Sequence, residues 1–134
     1  MNPKTTSAEL AWSYFDLCGR GRISEALALL DDDGSWWDVL TRDEVLMSKH
    51  KRVVADALSI VPMTFELHSA VQSGDTAVLE VESHAALPDG DAYNNLYCFI
   101  VTVRAGMILR VREYNDTHHA LNLPRSMRAL FAHR

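Results

Sequence analysis

The stretch that decides the fold is Tyr93–His119, YNNLYCFIVTVRAGMILRVREYNDTHH. Strand-forming residues alternate along it, and Ala105-Gly106 breaks the alternation near its middle, the pattern of two long strands joined by a tight turn. A period of two places Tyr93, Asn95, Tyr97, Phe99 and Val101 on one face, and Asn94, Leu96, Cys98, Ile100 and Thr102 on the other. On the second strand Val111, Glu113 and Asn115 share a face, opposite Arg110, Arg112, Tyr114 and Asp116. The arginine-bearing face reads as solvated or interfacial, so Glu113 is expected inside, with Asn95, Tyr97 and Asn115 as partners. A carboxylate in an apolar interior must be paired, hydrogen-bonded or shifted in pKa, which makes Glu113 a candidate general acid or base. A bulge near the strand end would instead turn Glu113 outward and Asp116 inward. The hairpin therefore reads as the floor of a ligand pocket.

Two further strands precede it, Met63–Gln72 and Thr76–Leu87, separated by the turn Ser73-Gly74-Asp75 and followed by the turn Pro88–Asp91. In Thr76–Leu87, Leu79, Val81, Ser83 and Ala85 share one face and Glu80, Glu82 and His84 the other; hydrophobicity favours burying the first set. At the front, Thr6 or Ser7 caps a helix carrying Leu10, Tyr14 and Leu17, which Gly19-Arg20-Gly21 ends. A shorter helix containing Ala26–Leu30 follows and stops at Asp31–Gly34. Ser35–Val39, SWWDV, reads as a short strand with Trp36 and Trp37 on opposite faces and Asp38 on that of Trp36. Thr41 and Glu44 form a capping-box pattern for a helix over Thr41–Ile60, either kinked or restarted near His50, that Pro62 ends. Helices first and a four-strand meander afterwards define an α+β class, with one domain over residues 1–134. Its core is expected at about 6–121, leaving 122–134 as a basic tail in which Met127, Leu130 and Phe131 could form a last helical turn or two.

The chain of 134 residues is 48% hydrophobic and 23% charged, an ordinary globular composition long enough to bury a core. Its formal charge of -5 argues against general nucleic-acid binding. No run approaches the ~20 apolar residues of a membrane span. The opening MNPKTTSAEL lacks a signal-peptide pattern, and Cys18 and Cys98 read as two reduced thiols, so a cytoplasmic protein is expected. His118 and His119 are adjacent, would point apart on a strand, and have no third ligand at metal spacing. No cofactor or metal is expected.

The order helix, helix, short strand with a carboxylate, long helix and curved meander resembles the nuclear-transport-factor-two-like superfamily. That superfamily is the cone-shaped α+β barrel of ketosteroid isomerases, limonene-epoxide hydrolases and SnoaL-type polyketide cyclases, and the chain looks SnoaL-like within it. The residues that carry the likeness are SYFDLCGRGRISEALALLDDDGSWWDV, SGDTAVLEVES and YNNLYCFIVTVRAGMILRVREYNDTHHA. The resemblance implies N-terminal helices packed on a curved, mostly antiparallel sheet, a small-molecule ligand in the enclosed pocket, and a homodimer through the outer sheet face. It also implies that Tyr14 matches an oxyanion-donating tyrosine and Asp38 a general base. Where the isomerases carry a protonated aspartate, this chain has Tyr97 or Cys98, a departure from steroid-type isomerisation. Arg112-Glu113-Tyr114 stands where the epoxide hydrolases carry Arg-Asp-Tyr, but their other arginine–aspartate pair has no match in YNNLY. An ungapped match to the isomerases would turn Glu80, Glu82 and His84 inward, against the hydrophobic reading.

The expected catalytic residues are thus Asp38, Glu113 and Tyr97, and the expected ligand contacts are Tyr14, Trp36, Glu82, Asn95, Asn115 and Asp116. Each has a plainer alternative: Asp38 as a cap or water-facing strand end, Tyr14 as a core tyrosine, Glu113 as a surface partner of arginine. The expected function is isomerase-, cyclase- or hydrolase-type chemistry by carboxylates. The alternative is a non-catalytic ligand-binding or dimerisation module of the same fold.

Overall fold

The computed structural model describes residues 5–132 and 134; the opening residues 1–4, part of the leader reading, lie outside them. Helix α1, Ser7–Gly19, starts where Thr6 Oγ1 accepts the Glu9 amide at 3.1 Å, the side-chain cap the sequence calls for. Its stripe of Leu10, Ala11, Tyr14, Phe15 and Cys18 is buried, and the helix lies across strands β3, Thr64–Ser73, β4, Thr76–Ala86, and β6, Leu96–Arg104. Helix α2, Ile23–Leu27, is a single short turn.

Strand β1 runs from Leu30 to Asp38, longer than Ser35–Val39, because Asp31–Gly34 continue it through an irregularity instead of ending a helix. Gly34 is required there. A Cβ on it would overlap the Leu109 carbonyl of the neighbouring strand. The segment after Asp38 also differs from expectation. Arg42 turns the chain with φ 59°, its amide bonded to the Asp38 carbonyl at 2.8 Å, and strand β2, Asp43–Leu46, folds back antiparallel on β1. Glu44 accepts from Ser35 Oγ at 2.8 Å and so is a cross-strand partner, with the capping box unused. Helix α3, Met47–Ile60, begins only after it and buries Met47, His50, Val54 and Ala57 at helical spacing.

The sheet order is β2-β1-β7-β6-β4-β3, with β7 at Met107–Asn115 and the two-residue strand β5, Ala92–Tyr93, paired to the end of β4. Every pairing is antiparallel except β1 with β7, which are parallel, so the meander is extended by the N-terminal strands into one curved, unclosed sheet. This is the α+β architecture expected. The hairpin turn falls at Ala105-Gly106, both with positive φ (51° and 77°), as the twist of a tight hairpin demands. Asn94 and Asn95 interrupt the expected strand Tyr93–Arg104, dividing it into β5 and β6.

Leu79, Val81 and Ser83 are buried in β4, so its apolar face is the inner one and Glu80, Glu82 and His84 lie outside. The main core joins α1 to the inner face of the sheet, with Phe99, Val101, Ile108 and Val111 fully packed. A second cluster gathers Ala57, Val61, Met63, Leu87, Tyr93 and Met127. Met127 comes from the tail. After the short helix α4, Thr117–Ala120, helix α5, Arg125–Ala132, packs on α3 and closes the open end of the sheet. No helix among the described residues is long and apolar enough to cross a membrane.

Candidate functional site

Between the inner sheet face, α1, α3 and α5 lies a cavity of about 330 Å³. Its walls are mainly aromatic and aliphatic, including Phe15, Phe99 and Phe131, and its polar groups are few. Parallel pairing of β1 and β7 sets Asp38 directly beside Glu113, and inward alternation aims both at the cavity. Asn115, two residues on, bridges them: its Nδ2 donates to Glu113 Oε2 at 2.8 Å and reaches Asp38 Oδ1 at 3.5 Å. The other Glu113 oxygen, Oε1, accepts the Trp36 indole N–H at 3.0 Å. Asp38 Oδ1 also accepts the Leu40 amide at 2.8 Å.

These surroundings hold the two carboxyls unequally. Burial, then the charge of Asp38, push Glu113 up to about 8, although the Asn115 and Trp36 donors and the Arg134 guanidinium pull the other way. Burial also raises Asp38, opposed by the Leu40 amide, Arg134 and Asn115. At neutral pH it is therefore Glu113 that holds the proton of the pair. A carboxylic acid beside a carboxylate in a mainly apolar cavity can take a proton at one atom and give one at another.

The tyrosines differ in their freedom. Tyr97 donates its hydroxyl to Ser83 Oγ at 3.1 Å, and burial raises its pKa well above the ordinary phenol range. Tyr14 is buried against Phe15 and Trp36, with the Cys18 thiol as its polar neighbour; burial raises both groups, Cys18 to about 11. Asn95 lines the cavity but spends its amide on local structure. Its Nδ2 donates to Tyr93 Oη at 2.9 Å and the Asp116 carbonyl at 3.2 Å, while Oδ1 accepts the Leu96 amide at 2.8 Å.

Two expected ligand contacts lie elsewhere. Glu82 is on the outer sheet face, because β4 buries Val81 and Ser83 and alternation sends its neighbours out. Asp116 is exposed and caps α4, its Oδ1 accepting the His119 amide at 3.1 Å; no bulge turns it inward. The cavity thus gathers Asp38, Glu113, Tyr97, Tyr14, Trp36, Asn95 and Asn115, without those two.

His50 is the site residue that sequence reading passed over. Its ring stacks on Trp36 at 4.0 Å and 12°, only 3% exposed, and burial followed by the Arg134 charge keeps it neutral, well below the usual histidine range. A histidine in register with Met47, Val54 and Ala57 on one helix face was the available signal. The tail is the other omission, since Leu123, Met127, Arg128 and Phe131 form one wall.

The sequence profile of the SnoaL-like domain matches residues 12–111. No curated protein sequence matches the chain. Among solved structures, IdmH from Streptomyces antibioticus, proposed to be a polyketide cyclase, superposes with a TM-score of 0.76 at 16% identity over 86% of this chain and 95% of its own. An LEH-like epoxide hydrolase from M. tuberculosis gives a TM-score of 0.75 at 16% identity over 93% and 94%. A protein of ketosteroid isomerase-like fold from Catenulispora acidiphila, in complex with trimethylamine, gives 0.74 at 14% identity over 89% and 96%. At such identities the likeness speaks for the fold.

Proposed function

We propose, for a chain that belongs to the SnoaL-like domain family, an enzyme that moves protons on a small organic molecule with the Asp38–Glu113 pair. The observation that carries this reading is the pairing itself: two register neighbours aimed into one apolar cavity and bridged by a single amide. Asp38, ionised, takes a proton from a carbon next to a carbonyl, and Glu113, protonated, donates to the oxygen on which charge develops. Tyr97 already donates to Ser83, so it shapes the wall and supports the polar edge; Trp36 positions Glu113. Keto–enol isomerisation and aldol-type ring closure both use this equipment, and the neighbour proposed to be a polyketide cyclase is in keeping with it.

The test is proton exchange. A panel of cyclic ketones and oxygenated aromatics is incubated with the protein in D2O, and loss of the C–H signal is followed by NMR. Exchange that Asp38→Asn abolishes supports the proposal; exchange indifferent to both Asp38→Asn and Glu113→Gln overturns it. A non-catalytic binder of the same ligands would retain affinity and show no exchange.

Two further features belong to the same proposal. The outer sheet face exposes Val71, Leu96 and Tyr114, with Trp37 beneath the Arg112 guanidinium at 4.3 Å, and this apolar surface suits pairing with a second copy of the chain. Cys18 and Cys98 are free thiols, as a reducing, cytoplasmic setting would keep them.

A further inference from the structure

We infer a divalent transition-metal site on the outer face of β3 and β4, formed by Glu66, Glu82 and His84, with His68 beside the two carboxylates. Spacing along the chain hides it, because its groups come from two strands. Pairing sets Glu66 opposite Glu82 and Thr64 opposite His84, which brings the three groups onto one patch. The register then shifts between Leu67 and Ser69. That bulge leaves His68 beside Glu82, and Ser69 takes the place opposite Glu80.

The donor atoms converge. His68 Nε2 lies 3.0 Å from Glu82 Oε1 and 3.8 Å from Glu66 Oε2, and His84 Nε2 lies 2.9 Å from Glu66 Oε1 and 4.0 Å from Glu82 Oε2. Ligands about 2.0–2.1 Å from a tetrahedral zinc ion are about 3.4 Å from one another, and the separations of His84 Nε2 from the two carboxylates bracket that value. One donor atom each from Glu66, Glu82 and His84 lies within 4.8 Å of the others. Asn94 Nδ2 donates to Glu82 Oε2 at 3.3 Å, an outer partner that fixes the most enclosed ligand.

The two carboxylates of the set carry the charge that a divalent cation neutralises, and His84 adds a nitrogen ligand. Nitrogen with oxygen donors favours zinc, nickel or copper over magnesium or calcium, and imidazole fits the first group. Without a cation the same groups are solvent-facing pairs, the imidazoles 43% and 45% exposed, of a kind that adds little to stability. The patch is on the opposite sheet face from the cavity, so a bound ion would clamp the β3–β4 hairpin and take no part in the carboxylate chemistry. The inference stands independently of the proposed reaction.

The full chain, freed of metal, is titrated with Zn²⁺ against a chromophoric chelator, with thermal unfolding followed in parallel. One ion per chain at micromolar affinity or tighter is expected, with a raised Tm that excess Mg²⁺ does not reproduce. His84→Gln and Glu66→Gln should each weaken binding by at least about tenfold, and His118→Gln should leave it unchanged. X-ray absorption of the zinc form, which needs no variant, should show nitrogen and oxygen neighbours only. Absence of binding at micromolar Zn²⁺, sulfur in the coordination shell, or affinity unaffected by His84→Gln and Glu66→Gln would overturn the site.

Discussion

Asp38 and Glu113 are direct register partners on adjacent parallel strands, seventy-five positions apart in sequence and side by side at the cavity wall. Burial makes both carboxyls harder to ionise, and the charge of Asp38 adds to the rise at Glu113. Removal of Asp38 should therefore be felt by Glu113. Glu113→Gln keeps the shape but removes the acidic proton, and Asn115 can turn its amide to offer Oδ1, which is buried with no hydrogen-bond partner among the described residues, to the new NH2 group. The expected result is a loss of turnover of about 10²–10⁴-fold and an unchanged affinity for a neutral ligand, read from steady-state kinetics and direct titration.

The same pair sets a pH dependence of stability. Glu113 has a folded value of about 8 against an ordinary 4.5, and Asp38 is shifted in the same direction. A raised acid stabilises the fold most when protonated, so this contribution is complete below about pH 4.5 and lost as pH rises through about 8. Between those limits the wild type should lose about 2–4 kcal/mol from this source. Denaturant unfolding should show Glu113→Gln gaining on the wild type at pH 9 and equalling its relative stability near pH 4.

Trp36 donates its indole N–H to Glu113 and in doing so lowers the carboxyl's pKa. Trp36→Phe keeps an aromatic slab for His50 to stack on and removes the donor. The proton affinity of Glu113 should rise about tenfold, since a bond to the charged form is lost. A pH–rate profile would show this as a basic limb displaced upward, with the acidic limb nearly fixed.

Gly34 has no room for a side chain, because its Cβ would enter the Leu109 carbonyl. Gly34→Ala should force β1 away from β7 and cost about 2–4 kcal/mol. Since that pairing sets Asp38 beside Glu113, turnover should fall with stability, whereas Gly74→Ala, in an open turn, should cost less and leave turnover intact.

Met127 anchors the tail in the second apolar cluster. Met127→Ala should cost about 2–4 kcal/mol and loosen the wall formed by α5. Ligand affinity should fall while the Glu113 titration stays in place, an outcome that fluorescence titration and NMR separate.

The hairpin was the most legible part of the sequence. Alternation alone set Tyr97, Glu113 and Asn115 inward, because a period of two leaves each side chain only two choices. The same rule decided Glu82: hydrophobic burial of Leu79 and Val81 prevailed over the ungapped match to the isomerases, which would turn Glu82 inward. Thr41–Leu46 misled because a capping box is a local signal, and the exposed edge of β1 offered Glu44 a better partner in Ser35. Parallel pairing of β1 with β7 was invisible, since nothing local distinguishes a strand that will add to a distant edge. His50 was readable in principle from its place on the buried stripe of α3, but its stack on Trp36 depends on how that helix meets β1.

The Glu113 proton is tested most directly by 13C NMR of protein labelled at the glutamate side-chain carboxyl, titrated from pH 4 to 10. One glutamate signal should titrate near the value of about 8 and vanish in Glu113→Gln, with its midpoint falling in Asp38→Asn. Titration of every glutamate within the ordinary range near 4.5 would contradict a protonated Glu113 and, with it, the acid–base pair.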